Sequence, residues 1–300
     1  MPSSYVYLGG SLVLKPAIGP AGGSIKVSFS DNNGLDWKEI AKETTATDVF
    51  VDLKPFCYRR YDYRLKIEMT GKGTGLTALR LTHGVQHSQA PLPALAAGKN
   101  TITFSSGPQE GTVTIEGSTN PDSRGKQLMM TDFHPDLQGV DEGFRLTAGK
   151  GDATFKVSTP GDIARIRFGA HYRARDAKDG FDLQVSFDGG KSFKNVGRLA
   201  GPFRGNCTYV TVGDVPAGAR EALVRYSGRQ SNTTCVFDFR IDADYREPVG
   251  GFRPVRITYL WTEDGVEKTD VHVANSPDER YTIACAGTPV MKAIALELVP

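Results

Sequence analysis

Ser30-Asp31-Asn32-Asn33-Gly34-Leu35-Asp36-Trp37 and Ser186-Phe187-Asp188-Gly189-Gly190-Lys191-Ser192-Phe193 are one pattern written twice. Both fit Ser-x-(Asp/Asn)-x-Gly-x-x-aromatic. Each follows an alternating apolar run, Ile25-Lys26-Val27-Ser28-Phe29 in one case and Leu183-Gln184-Val185 in the other. The residue types suit a tight turn between two strands. The side-chain oxygen of Asn32 or Asp188 can accept hydrogen bonds from backbone N–H groups a few residues on. Gly34 and Gly190 supply the positive φ of a compact hairpin. Trp37 and Phe193 close the turn by folding back over it and burying apolar area. Ser30, Asn32, Gly34 and Trp37, and in the second copy Ser186, Asp188, Gly190 and Phe193, are therefore read first as scaffold. Asn32 stands where the second copy has Asp.

The repeat extends beyond the two turns. After the first come Val51-Asp52-Leu53-Lys54-Pro55, an alternating strand from Tyr61 to Met69, a Gly-rich turn and Leu76–His83. After the second come Val212-Gly213-Asp214-Val215-Pro216, then Ala222–Tyr226, a polar turn and Val236–Ile241. Ser30 and Ser186 are 156 positions apart, and the strands that follow keep nearly that offset. Period-two alternation dominates elsewhere too, as in Ala164–Phe168 and Val255–Trp261, with Gly, Pro, Asn and Asp turns between. The prediction is an all-β chain of tandem immunoglobulin- or fibronectin-III-like β-sandwiches, each carrying one such hairpin. The expected domains are 1–118, a first sandwich; 119–140, an irregular linker; 141–247, a second sandwich; and 248–300, a strand unit docked on the second. Gln89–Gly98 reads as an apolar Pro/Ala crossing that stays packed.

The hairpin pattern resembles the Asp-box of sialidases and many secreted carbohydrate-active proteins. Sialidase-type propellers repeat a blade every ~40–50 residues, so two boxes 156 apart fit one hairpin per sandwich instead. With Arg60–Leu65 and Gly107–Gly111, the wording is similar to strand-rich C-terminal regions of large secreted bacterial proteins. The resemblance implies an accessory module outside the cell or at its surface, partnered by polysaccharide and by other domains of a parent protein.

Composition narrows the classes. Lys+Arg is 36 against 34 Asp+Glu, and the signs are interspersed, which is unlike the basic face of a nucleic-acid binder. No run reaches the ~18 apolar residues of a membrane-spanning helix. No leader pattern opens the chain, and Met1–Ser4 runs straight into Tyr5–Leu8, as expected of a piece of a longer secreted protein. Cys57, Cys207, Cys235 and Cys285 form no Cys-x-x-Cys pair, which disfavours structural zinc. A Cys207–Cys235 bridge and four buried thiols both remain open.

No catalytic constellation stands out. His83 and His87 are four apart but follow a strand and lack the Glu of a zincin helix. Asp176, Asp179, Asp182 and Asp188 cluster around the second hairpin; they read as solvated turn residues or as oxygen ligands of a structural calcium, and no other cofactor is expected. A glycosidase needs two facing carboxylates, and no acidic pair is marked by its context. For glycan binding, alternation puts Tyr259 and Trp261 on one face, followed by polar Thr262-Glu263-Asp264. They are the leading stacking candidates, ahead of Tyr172, and core packing is the competing reading. The expected function is a non-catalytic carbohydrate-binding module; a structural or protein-interaction spacer and a polysaccharide-active enzyme are the alternatives.

Overall fold

The structure is a computed structural model and describes residues 6–86, 93–123, 127–249 and 251–299. Strands follow one another along nearly all of it. The first elements are β1 (Tyr7–Ala17), β2 (Ser24–Ser30), β3 (Lys38–Glu43), β4 (Val49–Asp52), the single helical turn α1 (Lys54–Cys57), β5 (Arg64–Thr70) and β6 (Gly75–Val85). Next come β7 (Gly98–Ser105), β8 (Glu110–Ser118), 3-10 turns at Pro121–Ser123 and Met130–Phe133, and β9 (Asp136–Gln138). Then follow β10 (Lys150–Ser158), β11 (Ile163–Ala174), β12 (Gly180–Ser186), β13 (Lys194–Ala200), β14 (Phe203–Val212), β15 (Glu221–Arg229) and β16 (Cys235–Arg246). The chain ends with β17 (Val255–Glu263), β18 (Val266–Ala274), β19 (Asp278–Cys285) and β20 (Pro289–Leu298).

Two compact units result. The first joins 1–86 to 111–246, and the second joins 87–110 to 247–300. Within the first unit lie two β-sandwiches. Sheets β3-β2-β5 and β4-β1-β6 enclose Leu12, Leu14, Val27, Phe29, Val51, Leu53 and Tyr63. Sheets β13-β12-β15-β10-β9 and β14-β11-β16-β8 enclose a larger core that includes Phe144, Phe155, Phe168, Phe181, Tyr226, Phe239 and Ile241. The duplication is visible in the pairing: β1 to β6 have the same mutual partners as β11 to β16, strand for strand. The second sandwich adds β10 and β9 to one sheet and β8 to the other.

Alternation explains the cores. Along β15 every second residue from Ala222 to Gly228 is buried. Tyr226 sits at the centre, edge-on to Phe144, Phe155, Phe168 and Phe239 with centroids 5.4–6.3 Å apart. Its hydroxyl donates to the Gly169 carbonyl at 3.0 Å, which satisfies the one polar atom that burial would otherwise penalise.

The domain boundaries differ from the sequence expectation. β7, expected in the first sandwich, pairs with β19 from Asp278↔Ser105 to Cys285↔Gly98. β8, also expected in the first sandwich, is an edge strand of the second. The described residues of 119–140 do not form a linker, because Met130 and Phe133 are buried in the second core and β9 pairs with β10. The C-terminal strands have a core of their own: β18-β17-β20 and β19-β7 bury Leu95, Ile257, Tyr259, Trp261 and Ile283. Leu95 belongs to the crossing expected to stay packed, whose residues 89–92 lie outside the described residues, as does His87.

Candidate functional site

The two hairpins share one hydrogen-bond pattern. In the first, Ser30 Oγ donates to Asn32 Oδ1 at 2.9 Å and accepts from the Gly34 N–H at 2.8 Å, while the Asp36 N–H donates to Asn32 Oδ1 at 2.9 Å. In the second, Ser186 Oγ donates to Asp188 Oδ1 at 2.7 Å, the Gly190 N–H donates to Ser186 Oγ at 2.9 Å, and the Ser192 N–H donates to Asp188 Oδ1 at 3.0 Å. Gly34 and Gly190 both have φ of 88°. A Cβ on Gly34 would lie 3.2 Å from Trp37 Cζ2, so the indole does close over the turn. Phe193 does the same at Gly190, and Arg225 covers its ring 3.5 Å from the centroid.

The hairpins part in what they touch. Asn32 Nδ2 donates to the Asp132 carbonyl and to Asp36 Oδ2, both at 2.8 Å. Asn33 Nδ2 donates to the Thr114 carbonyl at 3.0 Å, and His134 Nε2 lies 2.9 Å from Asp36 Oδ2. The first hairpin thus fastens the first sandwich to β8 and to the 130–133 turn. An aspartate at 32 has no hydrogen to give to Asp132.

Beside this fastening lies a cleft of about 480 Å³. One wall is the segment leaving α1. The Arg59 N–H donates to the Tyr7 carbonyl, the Tyr7 N–H to the Arg60 carbonyl, both at 2.9 Å, and the Arg60 N–H to the Cys57 carbonyl at 3.0 Å. Arg59 takes φ 63°, which turns the chain outward. Arg60 Nε bonds Asp31 Oδ2 at 2.8 Å, so its charge is committed. The other wall is Glu116 to Ser118, Gln127, Leu128, Asp238 and Phe239. Gly117 is required here, since a Cβ would come within 2.9 Å of the Met130 nitrogen and of Phe239 Cε1.

Charge in the cleft is partly neutralised. Arg240 stacks on Tyr61 at 4.3 Å, binds Asp242 at 2.9 Å and approaches Glu116 at 3.6 Å. Burial pushes the Glu116 carboxyl above its usual range, and Arg240 opposes that shift. What remains open to a ligand is Tyr58, 48% exposed, with Arg59, Gln86, Gln127 and Asp238. Tyr58 and Tyr61 supply flat faces, and the others supply donors and acceptors. Nothing in the sequence singles out Tyr58, because nothing there announces that β8 and β16 face it.

The leading sequence candidates for stacking are elsewhere. Tyr259 and Trp261 share a face as expected, but that face is inward: they are 5% and 4% exposed. Trp261 Nε1 donates to Glu263 Oε1 at 2.7 Å. Tyr172 is 1% exposed and donates to the Ala200 carbonyl at 2.8 Å. None of the three offers a ring to a sugar.

The other candidates also resolve. All four thiols are free. Cys207 pairs across β11 with His171, and Cys235 pairs with Arg173 from the opposite side. Two strand spacings, roughly 9–10 Å, exceed the reach of a disulfide. The four aspartates do not converge. Asp176 caps Lys178, Asp182 binds Arg198 and Arg229, and Asp188 holds its turn. Asp179 is fully buried and accepts from Ser231 and Asn232; burial would raise its pKa, but those bonds win and lower it. Among the described residues no group of three or more His, Cys, Asp or Glu side chains is placed to hold a metal. His83 faces Tyr63, with Nε2 2.7 Å from the phenol oxygen.

No protein-family model matches the chain, and no curated protein is similar to it. Solved structures that it is similar to include proteins of infectious bursal disease virus. The T13 viral particle is 11% identical with TM-score 0.18, covering 82% of this chain and 61% of that one. The Gx strain structure is 11% identical with TM-score 0.20, covering 83% and 63%. The VP2 subviral particle is 10% identical with TM-score 0.18, covering 83% and 64%. This chain spans less than two thirds of each of those proteins, and likenesses this weak carry no argument about its function.

Proposed function

We propose that the chain is a non-catalytic carbohydrate-binding module of a larger secreted bacterial protein, and that its glycan lies in the cleft beside Tyr58 and Tyr61. The single observation that supports this is the cleft itself, a concave site with two tyrosine rings and the polar side chains of Arg59, Gln86, Gln127 and Asp238, beside the fastening made by the first hairpin. Concave sites with a few convergent polar groups are the default place to look for a ligand. The likeness of both hairpins to the Asp-box supports an extracellular setting and a polysaccharide partner. No nucleic acid or membrane insertion enters this reading.

The spacer reading draws on a different observation, the burial of Tyr172, Tyr259 and Trp261. Affinity electrophoresis in gels holding neutral polysaccharides separates the two. Retardation of the intact chain that Tyr58→Ala reduces, with no new reducing ends, supports the module. Free migration in every gel favours the spacer, and new reducing ends favour an enzyme.

A further inference from the structure

Several arginines of the first unit are matched with carboxylates. Arg60 meets Asp31, Arg165 and Arg167 meet Asp244, Arg198 and Arg229 meet Asp182, Arg220 meets Asp162 and Arg240 meets Asp242. Three arginines outside these pairs stand together. Arg173, Arg175 and Arg204 line one open depression of about 580 Å³ with Pro202 and Phe203. Among the described residues none of the three reaches a carboxylate. Arg173 lies 5.8 Å over the Phe237 ring, and its buried Nε has no hydrogen-bond partner.

The fold builds this cluster deliberately close. Arg173 and Arg175 flank the end of β11, and Phe203 and Arg204 open β14. Ala174 pairs with Phe203 across the ladder, which brings the two ends side by side. The turn that leads from β13 into β14 depends on Gly201, whose Cβ would lie 2.0 Å from the Asp176 carbonyl oxygen. Phe203 is 46% exposed at the rim. Three like charges held together repel one another, and an arriving anion relieves that repulsion. Guanidinium groups bind carboxylates and sulfates through paired N–H donors.

We propose that this depression binds the acidic groups of an anionic polysaccharide, with the arginines holding uronate carboxylates or sulfate esters and Phe203 under the sugar face. This deepens the glycan reading by naming an acidic polymer, at a place separate from the Tyr58 cleft.

The test uses the full chain in native gels containing sodium polygalacturonate, dextran sulfate or neutral dextran at physiological ionic strength. Arg175→Ala, Arg204→Ala and Phe203→Ala report on the depression, Tyr58→Ala on the cleft, and Lys42→Ala with Arg80→Ala on non-specific charge. Melting temperatures confirm that each variant is folded. The expected result is retardation by one or both acidic polymers, with affinity falling about tenfold for Arg175→Ala and for Arg204→Ala. Phe203→Ala weakens it less, and the double Lys42/Arg80 variant matches the wild type. The two acidic gels distinguish carboxylate from sulfate. If acidic gels do not retard the chain, or if the Lys42/Arg80 variant loses as much as the arginine variants, the proposal is overturned. Sedimentation with phosphatidylglycerol vesicles, without retardation in acidic gels, also overturns it. Retardation by acidic polymers unaffected by Tyr58→Ala, with free passage through neutral gels, sinks the cleft reading while this one stands.

Discussion

Asn32 and Asp188 occupy the same place in two copies of one turn, yet they do different work. Both accept from a serine hydroxyl and from a backbone N–H four residues on. Only Asn32 also donates, to the Asp132 carbonyl. Asn32→Asp removes that donor and brings a second carboxylate against Asp36. The expected loss is about 1–3 kcal/mol, read as a lowered denaturant midpoint. A midpoint equal to wild type means that the fastening to the 130–133 turn is worth nothing. Asp188→Asn keeps the acceptor but loses the bond from Ser192 Oγ at 2.6 Å. Bonds from Ser192 and Ser186 hold the Asp188 carboxyl well below its usual range. A depressed folded-state pKa stabilises the fold above the unfolded value of 3.8, and that contribution is lost as pH falls further. Asp188→Asn therefore flattens the acid limb of melting temperature against pH, and an unchanged limb rejects the assignment. The sequence showed both turns and the odd amide. It could not show that the amide's second hydrogen reaches a carbonyl 100 residues away, because that partner is set by tertiary packing.

At the scale of the strand, β17 shows what alternation does and does not say. Period two put Tyr259 and Trp261 on one face. Which face is inward depends on the strands that cover it, and those are β7 and β19 with Leu95, remote in sequence. Trp261→Ala leaves a cavity in that core, so the expected cost is ~3–5 kcal/mol, with no specific effect on glycan binding once folded protein is compared. Loss of retention by a variant with an unchanged melting temperature would return Trp261 to the surface. Glu263 ties this strand to the turn between β19 and β20. It accepts from Trp261 Nε1 at 2.7 Å and from the Ala286 and Gly287 N–H groups at 3.0 Å. These bonds, the indole's first, lower its pKa. The second unit is accordingly predicted to keep this contribution above pH 4.5, the ordinary value, and to lose it on acidification. Glu263→Gln should melt lower at neutral pH and respond less to acid. A variant as acid-sensitive as the wild type would place the titrating group elsewhere.

Across the whole molecule the chain leaves the first unit after residue 86, supplies one strand and Leu95 to the second, and returns at residue 111. Local pattern located β7 correctly as a strand but not its owner, because a strand's partner is not written in its own alternation. The excursion carries a testable consequence. A chain ending at residue 247, the boundary that sequence alone suggests, strips β7 of β19 and leaves Leu95, Ile102 and Phe104 without the residues they pack against. An isolated strand cannot hold itself in water. Limited proteolysis of that truncated chain should cut within 93–107, while 127–246 stays protected by a core that keeps all its strands. In the intact chain the same protease should spare 98–105, whose backbone is laddered to β19. Equal protection of 93–107 in both chains would mean that β7 draws its stability from the first unit, and the division of the chain into these two units would be wrong.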